Sequence, residues 1–120
     1  MKITEVIEKL GECAEEKKAT NIVTFKMRDQ SWMADFMMII SVNNYIHAGS
    51  VVENLEDYLK KNMSSSNPDF FIPPKISGEA KSGWVILDCN SIIIHCMTEE
   101  MRSFYNIEAI FEKNCEIYHY

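Results

Sequence analysis

The segment Phe36–Val42 (FMMIISV) constrains the fold more than any other part of this chain. It is a continuous apolar run, too short for a helix of its own. Its residue types suit a central β-strand buried on both faces. A strand buried on both sides needs a layer of structure packed above it and another below. The rest of the sequence must therefore supply helices and further strands.

The flanking segments supply them. Ile3, Val6, Ile7, Leu10, Cys13 and Ala14 recur at helical spacing, so Met1 to about Lys18 reads as an amphipathic helix, with Thr4 as its candidate cap. Asn21–Met27 (NIVTFKM) is β-branched and aromatic and reads as a strand. Arg28–Ala34 is a polar break that carries Trp32, expected to be exposed. After the central run, Asn43 and Asn44 offer a cap, and Tyr45, Ala48, Val51, Val52, Leu55, Tyr58 and Leu59 mark a second helix ending near Asn62. Met63–Pro74, rich in Ser and Pro, reads as an internal loop with a short strand at Phe70–Ile72. Lys75–Ser77 is a further short strand, turned at Gly78.

Trp84–Asp88 and Ser91–Cys96 read as two strands joined through Cys89–Asn90 as a tight antiparallel hairpin. Glu99 and Glu100 favour a helix start after Thr98 by complementing its dipole, and a further turn spans Asn106–Lys113. The order α, β, β, α, weak β, β, β, α gives an α/β chain of α+β character: a mixed sheet of about five strands flanked by helices. Its 120 residues fit one domain, 1–120.

Composition narrows the function classes. Asp plus Glu number 18 against 12 Lys plus Arg, a net charge of -6 that disfavours direct binding to phosphate backbones; it attracts basic proteins, but on charge alone the first reading is that it keeps a small protein soluble. No apolar run approaches the roughly 20 residues that span a bilayer, and Met1–Thr20 has no signal-peptide core, so a cytoplasmic protein is expected. Cys13, Cys89, Cys96 and Cys115 form no C-x-x-C pair, and no His stands at zinc-finger spacing; reduced, mostly buried thiols and no metal are expected.

No P-loop, G-x-G-x-x-G or G-x-S-x-G is present. Nucleotidyltransferases share this element order. They place a Gly-Ser pair at a helix start and two carboxylates one residue apart on a strand, which hold the metal ions on the triphosphate. Here Gly49-Ser50 falls inside a helical pattern, and Asp88-Cys89-Asn90 offers a single carboxylate. The expectation is no catalytic residue, no cofactor and no enzyme activity.

The aromatics point to binding instead. Trp84 opens a strand after the polar Lys81-Ser82-Gly83, with Phe104 and Tyr105 downstream. A Trp at an element's edge is either a half-exposed interface anchor or a plug in the core beside the first helix. His95, placed at the end of its strand, is a candidate base or a satisfied side chain.

Two blocks carry a family resemblance. Ala34–Ala48 (ADFMMIISVNNYIHA) resembles the segment ADYFVIATGTSxRHxxA of the ribosomal silencing factors, the Iojap-like family. Ser82–Phe111 (SGWVILDCNSIIIHCMTEEMRSFYNIEAIF) resembles its second block, WVLLDxGDVVVHVFxxExRxFYxLExLW, without a gap. The resemblance spans Glu5–Phe111. It implies a nucleotidyltransferase-like topology without the catalysis. It also implies binding to the large ribosomal subunit, through the ribosomal protein numbered fourteen in the bacterial series. Such docking sterically blocks subunit joining and damps translation. A role in large-subunit assembly on the same surface and a nucleotidyltransferase-like enzyme are the alternatives, and exposed aromatics would also serve a homodimer.

On family motif positions stand Asp35, His47, Trp84, Asp88, His95, Arg102, Phe104, Tyr105 and Glu108. Trp84 is the leading partner contact implied, followed by His95, Arg102 and Tyr105, with His47 and Asp88 completing the set. Asp35, Asp88 and Glu108 are also read as turn caps or partners of Arg102. The chain departs from the pattern at Lys26, Val42, Asn44, Ile46, Asn90-Ser91 and Phe111, and its tail, Glu112–Tyr120, lies beyond it.

Overall fold

The computed structural model describes residues 3–27, 34–62, 74–112 and 115–118. The chain runs α1 (Ile3–Glu16), β1 (Thr20–Met27), β2 (Phe36–Val42), α2 (Tyr45–Asn62), β3 (Lys75–Ser77), a 3-10 turn (Ala80–Ser82), β4 (Trp84–Asp88), β5 (Ile92–Thr98), α3 (Glu99–Tyr105), α4 (Ile107–Glu112) and β6 (Cys115–Tyr118). The strands form one mixed sheet in the order β3-β4-β5-β2-β1-β6. Among the described residues only β2 and β5 pair in parallel; the other pairings are antiparallel.

The apolar run is the centre of this sheet. All seven residues of β2 are buried, as a strand covered on both faces must be. Its side chains alternate between two cores. Phe36, Met38, Ile40 and Val42 join Ile92, Ile94, Cys96, Val85 and Leu87, and α1 and α2 cover that face with Val6, Ile7, Leu10, Val51 and Leu55. Met37 and Ile39 face the other way with Phe25 and Met97, where Trp84, Met101 and Ile107 pack at the margin. That second face is covered by the short α3 and α4, of seven and six residues. Four β2 side chains on one face and two on the other, each contributing about 1.5–3 kcal/mol on burial, explain why the central strand holds the domain together.

The chain joins its elements with polar caps. Asn44 Oδ1 accepts the His47 backbone N–H at 2.9 Å and so caps α2. Thr98 caps α3 by accepting from the Met101 N–H at 3.3 Å. Helix α1 ends in a Schellman motif: Ala19 N–H donates to the Ala14 carbonyl and Lys18 N–H to that of Glu15, with Lys18 left-handed at φ 67°.

Some expectations shift. The mixed sheet of about five strands is as expected, and among the described residues a further edge strand joins it: the tail, read only as an extension, pairs through Cys115–Tyr118 with β1. A four-residue strand carries too little pattern of its own to be seen; its partner makes it. Thr4 lies inside α1 rather than at its cap. The hairpin turn falls one residue later than expected. Cys89 N–H still reaches the Ile92 carbonyl, so Asn90 and Ser91 make the bend, with Asn90 at φ 69°. The segment with Trp32 and the strand expected at Phe70–Ile72 lie outside the described residues.

Candidate docking surface

Trp84, His95 and Tyr105, separated in sequence, meet on the face of the sheet opposite α1. Trp84 pairs in register with Met97, which makes His95 its diagonal neighbour on β5. The indole Nε1–H donates to His95 Nδ1 at 3.1 Å, with ring centroids 5.9 Å apart. On its other side the indole meets the Tyr105 ring at 5.1 Å, and Tyr105 meets Phe104 edge-on at 5.0 Å. The result is a row of rings running from the interior outward. His95 is buried at 8% exposure, Trp84 is half-buried, Tyr105 is 49% exposed and Phe104 is 77% exposed. Trp84 is thus not a plug beside the first helix. It packs against the smaller core on the opposite face and keeps part of its ring open.

Two glycines bring the indole to this position. Gly78 (φ 84°) lets the chain pass so near β4 that a Cβ there would stand 2.6 Å from the Trp84 carbonyl oxygen. Gly83 (φ 85°) ends the 3-10 turn directly before Trp84, and its carbonyl accepts from the Thr98 N–H at 2.9 Å.

His95 lies three residues before the end of β5, not at it. Burial pushes its pKa from 6.5 down to about 4, so the ring is neutral near pH 7. Because Nδ1 accepts from the indole, the proton is assigned to Nε2. A buried ring held in this way is poorly placed to act as a general base on an outside substrate.

The other expected site residues go elsewhere. Arg102 is only 7% exposed and makes its hydrogen bonds within the protein. Its Nε donates to Glu108, and its Nη1 donates to the Asn21 carbonyl at 2.6 Å and to Ser41 Oγ at 2.8 Å. It ties α3 to α4, β1 and β2. A cleft of about 360 Å³ opens over this network, lined by Asn21, Glu99, Arg102, Ser103, Asn106 and Glu108. The Glu99 carboxyl is held below its ordinary pKa by hydrogen bonds from Ser41 and then Asn21. His47 bridges two helices: Nδ1 accepts the Asn43 N–H at 2.9 Å and Nε2–H donates to the Lys17 carbonyl at the end of α1. Asp88 Oδ1 accepts the Asn90 N–H at 3.0 Å and fixes the hairpin turn. The turn-capping and Arg102-pairing roles expected of Asp88 and Glu108 are what the structure shows.

The residues weighed for nucleotidyl transfer have other places. Gly49-Ser50 sits within α2, and Asp88 is tied to its turn. Among the described residues, no cluster of three or more His, Cys, Asp or Glu could hold a metal ion. Burial pushes the Cys89 and Cys96 thiols up to about 12, so both stay protonated. No described helix is long and apolar enough to cross a membrane. Sequence reasoning singled out the ring residues through Trp84, Phe104 and Tyr105. It missed Asn21 and Ser41, the anchors of Arg102, because neither carries a signal before the sheet brings them together.

Comparison with known proteins follows the same lines. Residues 1–119 match the family model described as ribosomal silencing factor during starvation. A ribosomal silencing factor of Zymomonas mobilis is 31% identical over 97 residues, covering 81% of this chain and 68% of that protein. One from Halalkalibacterium halodurans is 23% identical over 107 residues, covering 89% and 86%. A crystal structure of a Chromobacterium violaceum protein superposes with a TM-score of 0.74 over 93% of this chain and 88% of that one; at 20% identity it shows that the fold is shared.

Proposed function

This chain belongs to the ribosomal silencing factor family, and from that premise we propose that it represses translation by docking on the large ribosomal subunit. In this reading it engages a large-subunit ribosomal protein, the one numbered fourteen, and its bulk then keeps the small subunit from joining. The relatives it matches are named as silencing factors, not as enzymes.

The observation that carries the reading is the exposed aromatic row Trp84–Tyr105–Phe104. A cluster of partly open rings on a firm strand and helix is the anchor chemistry of protein interfaces. Charge adds to it: Glu99 and Glu100 open α3, the helix that carries Phe104 and Tyr105, on a chain of net charge -6. Ribosomal proteins are generally basic, so the potentials are complementary and favour rapid encounter. Arg102, His47 and Asp88 contribute by holding the frame.

Sedimentation of the purified protein with separated ribosomal subunits tests this. Co-migration with large subunits, and a lower yield of joined ribosomes when small subunits are added, is expected. Co-migration with small subunits alone, or with neither, would end the reading.

A further inference from the structure

The outermost rings owe their placement to a side chain that scarcely reaches the surface. We propose that His95 is a positioning residue for docking: through Nδ1 it fixes the Trp84 indole, and through Trp84 it sets the Tyr105 and Phe104 rings in the arrangement a partner meets. The inference rests on the docking reading and assigns His95 a task other than touching the partner.

Three observations carry it. First, at 8% exposure the imidazole offers almost no surface to another molecule. Second, Trp84 is half-buried at the opening of β4, where packing alone restrains one side of a large ring. An indole N–H turned inward needs an acceptor, and the 3.1 Å bond to Nδ1 supplies it. Third, the contacts form an unbroken series, from imidazole to indole at 5.9 Å, indole to phenol at 5.1 Å, and phenol to the Phe104 ring at 5.0 Å. Rotation of the indole would withdraw the surface on which Tyr105 rests. A ring held before binding loses less rotamer entropy on binding, and that difference appears as affinity.

The test compares His95→Phe with His95→Asn in the full chain. Phe keeps a ring in the buried space but accepts no hydrogen bond. The Asn Oδ1 stands near the place of Nδ1 and restores an acceptor. The readouts are the Trp84 indole N–H resonance, assigned with Trp84→Phe to separate it from Trp32, and the affinity for large subunits. In H95F the resonance should move upfield and affinity fall roughly fivefold, the worth of one neutral hydrogen bond. H95N should recover most of both. In the wild-type protein the same indole proton should exchange slowly with solvent, a measurement that needs no variant to fold. An indole that exchanges freely, or an H95F protein that binds as tightly as wild type, would overturn the inference while leaving docking intact. Absence of binding by the wild-type chain would instead sink the docking reading, and this inference with it.

Discussion

Arg102 and Glu108 are joined by a charged hydrogen bond of 2.5 Å that fastens α3 to α4 across the left-handed Asn106. The same guanidinium reaches the Asn21 carbonyl and Ser41, so one side chain binds both short helices to the two strands beneath them. Arg102→Leu strands these acceptors and should cost about 3 kcal/mol of stability. Glu108→Gln keeps a hydrogen-bond acceptor at a partly exposed position and should cost about 1 kcal/mol or less. Urea denaturation of both variants checks the ranking. Equal losses would mean that the buried contacts to Asn21 and Ser41 contribute nothing.

The exposed rings should separate binding from folding. Tyr105→Ala and Phe104→Ala remove side chains that are half-exposed or more, so each should change stability by about 1 kcal/mol or less. Tyr105→Ala should nevertheless weaken binding to large subunits by about 2 kcal/mol, roughly thirtyfold. Trp84→Ala should do both, losing about 2 kcal/mol of stability because half of the ring packs on Met97 and its neighbours. If Tyr105→Ala binds normally in a sedimentation titration, the docking face lies elsewhere.

Acid should weaken the fold through His95. Folding lowers its pKa from 6.5 to about 4, so between those values the unfolded chain binds a proton that the folded chain excludes. Stability from this source is complete above pH 6.5 and is lost as the pH falls toward 4, by up to about 3 kcal/mol. Glu99, held below its ordinary pKa by hydrogen bonds from Ser41 and Asn21, adds its own loss in acid, so the comparison with His95→Phe isolates the histidine. That variant should show a flatter profile between pH 6.5 and 4 in thermal melts, and superimposable profiles would contradict the assignment.

Two backbone positions invite stabilisation. Gly49 lies on the exposed side of α2 with nothing within 4 Å of where a Cβ would stand, so Gly49→Ala should add about 1 kcal/mol. Lys18 occupies the left-handed position that closes α1, where Gly has no steric penalty, and Lys18→Gly should add up to about 1 kcal/mol. Melting temperatures of the two single variants and the double variant decide it. A lower melting temperature for Gly49→Ala would contradict the open space found around this position.

Much of the fold was legible because it is written in short-range pattern. The periodicity of Val6, Ile7 and Leu10 marks α1, and the spacing from Ala48 to Leu59 marks α2. The alternation through Trp84–Asp88 marks β4. Both the caps at Asn44 and Thr98 and the turn near Asn90 follow from side-chain chemistry that acts within a few residues. The strand β6 was not legible in this way, since four residues become a strand only when β1 offers its edge.

What the sequence determined by itself was the set of elements apart from β6, the two-sided burial of Phe36–Val42, the acidic balance and the presence of aromatic residues at the start of β4 and the end of α3. The tertiary structure alone decided where the candidate site residues sit and what they touch. Sheet register turned His95 inward beneath Trp84 instead of outward toward a partner, and it carried Ser41 and Asn21 to Arg102. Hydrogen bonds between side chains distant in sequence depend on which strands lie side by side. Local pattern fixes the spacing along each strand but not its neighbours, so such bonds come into view only in the folded sheet.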